Sequence, residues 1–129
     1  MKKTVLVIDN DKALVELEAF YFSEQGYTVY TAFDGDVGLQ RALDLKPAAI
    51  VCDLIMEKMH GFEVLRTLRE NPDMKHTVVI MTSAKAYKPD IDRAHDLGAT
   101  DYVVKPFRTD ELLALIERHL ASFGHQEDH

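Results

Sequence analysis

Four stretches of this 129-residue chain end an apolar run with side chains whose chemistry is complementary. Asp9-Asn10-Asp11 follows VLVI, Asp53 follows AAIVC, Thr82-Ser83 follows VVIM, and Lys105-Pro106 follows DYVV. Carboxylates held a few ångströms apart raise each other's pKa unless a cation compensates. One or two carboxylates with other oxygen ligands suit Mg2+, which keeps waters and adds a phosphate oxygen readily. A lysine and a hydroxyl opposite would hold the remaining oxygens of a phosphoryl group. The set therefore looks built to place a phosphoryl group on or beside a carboxylate. Asp53, alone at the end of its run, is the natural nucleophile.

Taken singly, each residue has a plainer role. Asp11 is placed to cap the helix that follows it. Ser83 alone would be a turn residue and Lys105 a solvated amine. Cys52, beside the candidate nucleophile, reads as a small core residue with nothing to lower its pKa. The argument rests on all four stretches converging.

Convergence is what the intervening pattern predicts. Continuous apolar runs at 5–8, 27–32, 48–52, 78–81 and 101–104 suit strands buried on both faces. Between them lie amphipathic stretches. The first carries Leu14, Leu17 and Tyr21, widened by Ala13 and Phe20; the second Val37, Leu39, Ala42 and Leu43; the third Phe62, Val64, Leu65 and Leu68. The fourth has Ile91, Ala94 and Leu97 between Pro89 and Gly98, and the fifth Leu112, Leu113, Leu115, Ile116 and Leu120. Five strands alternating with five helices imply a doubly wound α/β domain with a parallel sheet. Such sheets bind ligands outside the carboxyl ends of their strands, where all four stretches fall.

Composition narrows the function classes. Fifteen Lys+Arg against twenty-two Asp+Glu give a net charge of −7, which argues against a direct nucleic-acid surface. A single cysteine excludes an internal disulfide and a multi-Cys zinc site. No run approaches the ~20 apolar residues of a membrane span, and MKKTVLVID lacks a signal-peptide core. A cytoplasmic domain is expected. The polar stretch 122–129, with His125 and His129, is expected to be a flexible tail after a domain spanning 1–121.

From about 4 to 120 the sequence resembles the receiver domain of two-component response regulators. The resemblance is carried by the acidic cluster at Asp9, the segment DLIMEKMHGFEVL at 53–65, SAKA from Ser83, LGATDY ending at Tyr102, and KPF from Lys105. Ser83 lies 30 residues beyond Asp53, and Lys105 another 22 beyond that. The resemblance implies a flavodoxin-like (βα)5 fold with strand order 2-1-3-4-5. It implies Asp53 as phosphoacceptor from a phosphohistidine, with Mg2+ held by Asp9, Asn10, Asp53 and the backbone carbonyl of Ile55. Ser83 would be the moving hydroxyl (Thr82 in the alternative register), Lys105 its cationic partner, Tyr102 the aromatic switch, and Lys105-Pro106 a cis peptide. A sensor histidine kinase or histidine phosphotransfer protein would be the donor. The surface of helix 4, strand 5 and helix 5 would control a downstream protein, with a phosphorylation-dependent homodimer as a further state.

Three positions depart from the family pattern. Asn10 offers a neutral oxygen where the second acid of the pair is usual, which predicts weaker Mg2+ binding, with Asp11 restoring some of the field. Glu57 stands where a proline is common. His60 replaces the usual acidic or small residue before Gly61. Ile55 and Lys85 stand where water must approach, and the branched, apolar Ile55 predicts slow self-dephosphorylation.

The domain is expected to catalyse only its own modification, with no external metabolite as substrate. With no output domain after the fifth helix, it reads as a stand-alone receiver or one truncated before an effector. One alternative is a phosphorylation-independent pseudo-receiver, for which Asn10 is the single argument. Another is a haloacid-dehalogenase-like phosphotransferase using Asp9 and Asp11, which Ala13 and the lack of room for a cap oppose.

Overall fold

The computed structural model describes residues 3–127, with side chains through Ser122. In chain order the elements are β1 (Thr4–Ile8), α1 (Lys12–Glu24), β2 (Thr28–Ala32), α2 (Gly35–Leu45), β3 (Ala49–Asp53), α3 (Gly61–Glu70), a 3-10 turn (Pro72–Met74), β4 (Val78–Ser83), α4 (Lys88–Asp96), β5 (Asp101–Val104) and α5 (Thr109–Glu127). The strands form one parallel sheet in the order β2-β1-β3-β4-β5. This is the doubly wound architecture expected.

The continuous apolar runs are explained by two cores, one on each side of the sheet. Leu6, Ile8, Ile50, Cys52, Val79 and Met81 face α2, α3 and α4. The alternate residues Val5, Val7, Ala49, Val51, Val78 and Ile80 face α1 and α5. Because strand side chains alternate, both halves of each inner strand are buried, and no polar residue interrupts them until the carboxyl edge.

The edge strands β2 and β5 are only partly buried, because each has a neighbour on one side only, and three helices differ from expectation. On α2, Val37 is 42% exposed, and Gly35, Gly38 and Ala42 form the buried line. On α1 the buried line is Val15, Glu18 and Phe22, whereas Leu17 and Phe20 are 55% and 67% exposed. The helix is apolar around most of its circumference, so periodicity alone did not select a face. Glu18, in the middle of the true buried line, disguised it. On α5 the helix continues to Glu127, past the end of its apolar period and into the stretch expected to be a tail. His129 and the side chain of His125 lie outside the described residues.

Candidate functional site

Register brings the chemistry together. Ile8 pairs with Cys52, so Asp9 and Asp53 follow on adjacent strands. Asp53 pairs with Thr82, and Ser83 with Val104, so Lys105 leaves β5 at the same edge. Val7, Val51 and Val103 belong to the α1/α5 core, and Asp9, Asp53 and Lys105, each two residues on, share that side by alternation. Lys105 Nζ donates to Asp9 Oδ2 at 2.7 Å and lies 3.6 Å from Asp53 Oδ1. One ammonium therefore bridges two carboxylates, as convergence of the strand ends required.

The electrostatics of this trio are unequal. Burial raises the Asp53 pKa, and the neighbouring Asp9 raises it further, against the lowering effects of Lys105 and the Ile55 and Leu54 amides. For Lys105 burial acts to lower the pKa, but the hydrogen bond to Asp9 and the charges of Asp53 and Asp9 prevail and raise it. The Asp53 side chain keeps 11% of its surface open, so a reacting group approaches it only from the loop side. Burial pushes the Cys52 thiol up, with Asp53 and Asp9 adding to the effect, which leaves it the inert core residue expected.

Around the trio the loops have defined jobs. The Asp11 amide donates to Asp9 Oδ1 at 2.9 Å, fixing that carboxylate. The Asp11 side chain itself caps α1 by accepting from the Leu14 amide at 3.2 Å. The plainer role expected of Asp11, as the cap of α1, is therefore the one it fills. Gly61 donates its amide to the Leu54 carbonyl at 2.8 Å, and a Cβ there would stand 2.6 Å from the Asp53 carbonyl oxygen. Only glycine lets α3 begin this close to the end of β3. His60 caps α3 through Nδ1, which accepts from the Phe62 amide at 3.1 Å.

Ser83 and Thr82 are both buried at the end of β4. Ser83 Oγ accepts from the Lys85 amide at 3.1 Å, and the Lys105 amide donates to the Ser83 carbonyl at 2.8 Å. Tyr102 Oη donates to the Lys85 carbonyl at 2.9 Å. The Lys105-Pro106 peptide is cis.

Asp9, Asp53, the exposed Asn10 and the carbonyl of Ile55 would offer a metal only oxygen donors. Among the described residues no group of three or more His, Cys, Asp or Glu side chains is arranged for a metal, and Asn10 would supply a neutral oxygen in place of a third acid. Two crowded carboxylates with neutral oxygens fit a hard cation that keeps several waters, as Mg2+ does.

The response regulator receiver domain family matches residues 5–117. The chain belongs to that family. Among solved structures, the receiver resembles the chemotaxis response regulator CheY4 of Vibrio cholerae, with 28% identity over 92% of this chain and 99% of that one, at a TM-score of 0.86. It is also similar to the receiver domain of the Francisella response regulator 1452, with 30% identity, 95% and 99% coverage and a TM-score of 0.86. A CheY-like receiver from Methanospirillum hungatei shares the fold at a TM-score of 0.91 and 22% identity, over 98% and 99% of the two chains. Among the described residues no helix is long and apolar enough to cross a membrane.

Sequence reasoning missed Glu18. It is 1% exposed in the α1/α5 core, and its Oε1 has no hydrogen-bond partner. Burial, then Asp9, raises its pKa to about 8, with Lys105 opposing and Asp11 adding. The available signal was its spacing, three residues after Val15 and four before Phe22.

Proposed function

We propose that this receiver accepts a phosphoryl group on Asp53 from a phosphohistidine and relays the change through α4, β5 and α5 to a partner protein. The observation that carries the reading is the Lys105 ammonium bridging Asp9 and Asp53 at the carboxyl edge of the sheet. A carboxylate oxygen of Asp53 attacks phosphorus, the P–N bond to the donor imidazole breaks, and the imidazole keeps the electron pair and takes a proton. Such a transfer has a loose transition state, so alignment and charge neutralisation are the protein's contribution. Asp9, Asn10, Asp53 and the Ile55 carbonyl would hold Mg2+, which when bound neutralises charge on the phosphoryl oxygens. Lys105 is already within reach of the oxygen that becomes phosphorylated.

The aspartyl phosphate brings about two negative charges and three acceptor oxygens to the strand end. Ser83 exchanges its contact with the Lys85 amide for a phosphoryl oxygen, and Tyr102, bonded to the Lys85 carbonyl, senses the loop's new position. Contacts made only in the phosphorylated state are what shift a two-state surface. The same surface serves a phosphorylation-dependent homodimer. The donor is a sensor histidine kinase or histidine phosphotransfer protein of the cytoplasm. Beside Lys105, a cavity of about 370 Å3 lined by Asp11, Leu14, Ala84, Lys105, Pro106 and Phe107, together with exposed Leu17 and Phe20, supports docking of a donor with a partly apolar surface. The domain turns over no external metabolite.

Incubation with acetyl phosphate and Mg2+, read by intact mass, tests the proposal. One added phosphoryl group on wild type and none on Asp53→Ala is expected. No addition to either protein would instead favour a phosphorylation-independent interaction module, as Asn10 suggests.

A further inference from the structure

Glu18 occupies the buried face of α1 where its neighbours are Val15 and Phe22. A carboxylate is costly to bury without a partner, so a carboxyl group at 1% exposure with an orphan oxygen rests in its neutral form. Among the described residues no hydrogen bond or ion pair joins Glu18 to the site. The charged groups acting on it through space are Asp9 and Asp11 at the end of β1 and Lys105 after β5. The sheet and α5 otherwise present Val5, Val7, Val51, Leu113 and Ile116 to this core. One turn earlier on the same face of α1, Leu14 lines a cavity together with Asp11 and Lys105, so the helix face that carries Glu18 runs up to the acidic edge of the sheet.

Asn10, meanwhile, leaves the site one negative charge short of an acidic pair. We propose that Glu18 supplies that missing charge: when a divalent cation is bound by Asp9, Asn10, Asp53 and the Ile55 carbonyl, Glu18 releases its proton to solvent and the buried carboxylate balances the cation. The inference rests on the magnesium-dependent reading above. The cation cancels the repulsion from Asp9 that helps keep Glu18 protonated, so the two events favour each other.

Isothermal titration of the full chain with MgCl2, in buffers of differing ionisation enthalpy, counts the protons released. At pH 7 wild type should release roughly half a proton per Mg2+, with affinity rising between pH 6 and 8 and levelling above. Glu18→Gln, which keeps the shape and cannot ionise, should lose that proton and bind Mg2+ roughly tenfold more weakly at pH 8, the order expected for one charge at short range. Asn10→Asp should strengthen Mg2+ binding more in the Glu18→Gln background than in wild type, where Glu18 already supplies the charge; equal gains in the two backgrounds would show that Glu18 does not act through the cation. Should Glu18→Gln fold poorly, Glu18→Leu provides the same comparison. Equal proton release and affinity in wild type and variant would overturn the inference while leaving the magnesium reading intact. A wild type that binds no Mg2+ would overturn both.

Discussion

Tyr102 on β5 donates its hydroxyl to the carbonyl of Lys85 at 2.9 Å, and so ties the edge strand to the loop that begins at Ser83. The same loop is held at its other side by Ser83 Oγ, which accepts from the Lys85 amide. Both backbone polar groups of Lys85 are therefore occupied by the two residues expected to move on phosphorylation.

Tyr102→Phe removes one of these ties. The bond is exposed, so the loss of stability should stay at about 1 kcal/mol or less. The loop should nevertheless open more often. Hydrogen exchange at the amides between Lys85 and Lys88 is expected to quicken while the β3 amides keep their protection. Unchanged exchange in the loop would show that the tyrosine contact does not restrain it.

Lys105→Met tests the bridging ammonium. Its removal leaves Asp9 and Asp53 facing each other with little solvent access, and breaking such a pair costs on the order of 2 kcal/mol at neutral pH for a partly buried site. The Asp53 pKa should rise further, since Lys105 is the cation that lowers it. Mg2+ added to the variant should recover more stability than it adds to wild type, as a second cation replaces the lost one. Urea melts with and without MgCl2 measure both effects.

The legible part of this molecule was the part governed by strand ends. Asp53 and Lys105 stand out because an uninterrupted apolar run stops abruptly at each, and parallel register then leaves one place for them to meet. The α1 face was not legible, because Leu14, Leu17, Phe20 and Tyr21 form as good a stripe as Val15 and Phe22. Only the sheet beneath distinguishes them, and the better-buried line contains an acid. The α5 extension to Glu127 was hidden for a different reason, since beyond Leu120 the helix no longer follows an apolar period. His60 was noticed as a departure, but that a ring nitrogen would serve as the cap depends on a side-chain rotamer that spacing does not encode.

Ile55 bears on the lifetime of the phosphorylated state. It is 50% exposed and stands two residues beyond Asp53, where its side chain would border the approach of water to a phosphoryl group on that residue. A branched hydrocarbon there offers water no hydrogen bond, whereas an amide would orient it. Ile55→Asn is expected to shorten the aspartyl phosphate half-life roughly fivefold, in keeping with a modest gain in water positioning. The decay of phosphorylated protein after removal of acetyl phosphate gives the comparison directly, and equal half-lives would remove Ile55 from the account.

The buried Glu18 makes a prediction about stability that needs no metal and no phosphoryl donor. Its pKa stands at about 8 in the folded chain against 4.5 for the ordinary group, because burial and Asp9 disfavour the charged form. The folded state therefore holds a proton that the unfolded state gives up. The associated stability is fully present below pH 4.5, declines as pH rises, and is lost above 8, a total on the order of 3–5 kcal/mol. Glu18→Leu places an apolar side chain between Val15 and Phe22 and abolishes this slope. The variant should gain little over wild type at pH 5, clearly more at pH 7, and most at pH 9. Thermal melts in EDTA across that range decide the matter: a gain that does not grow with pH would mean that Glu18 is ionised in the folded chain, with a partner that offsets its burial.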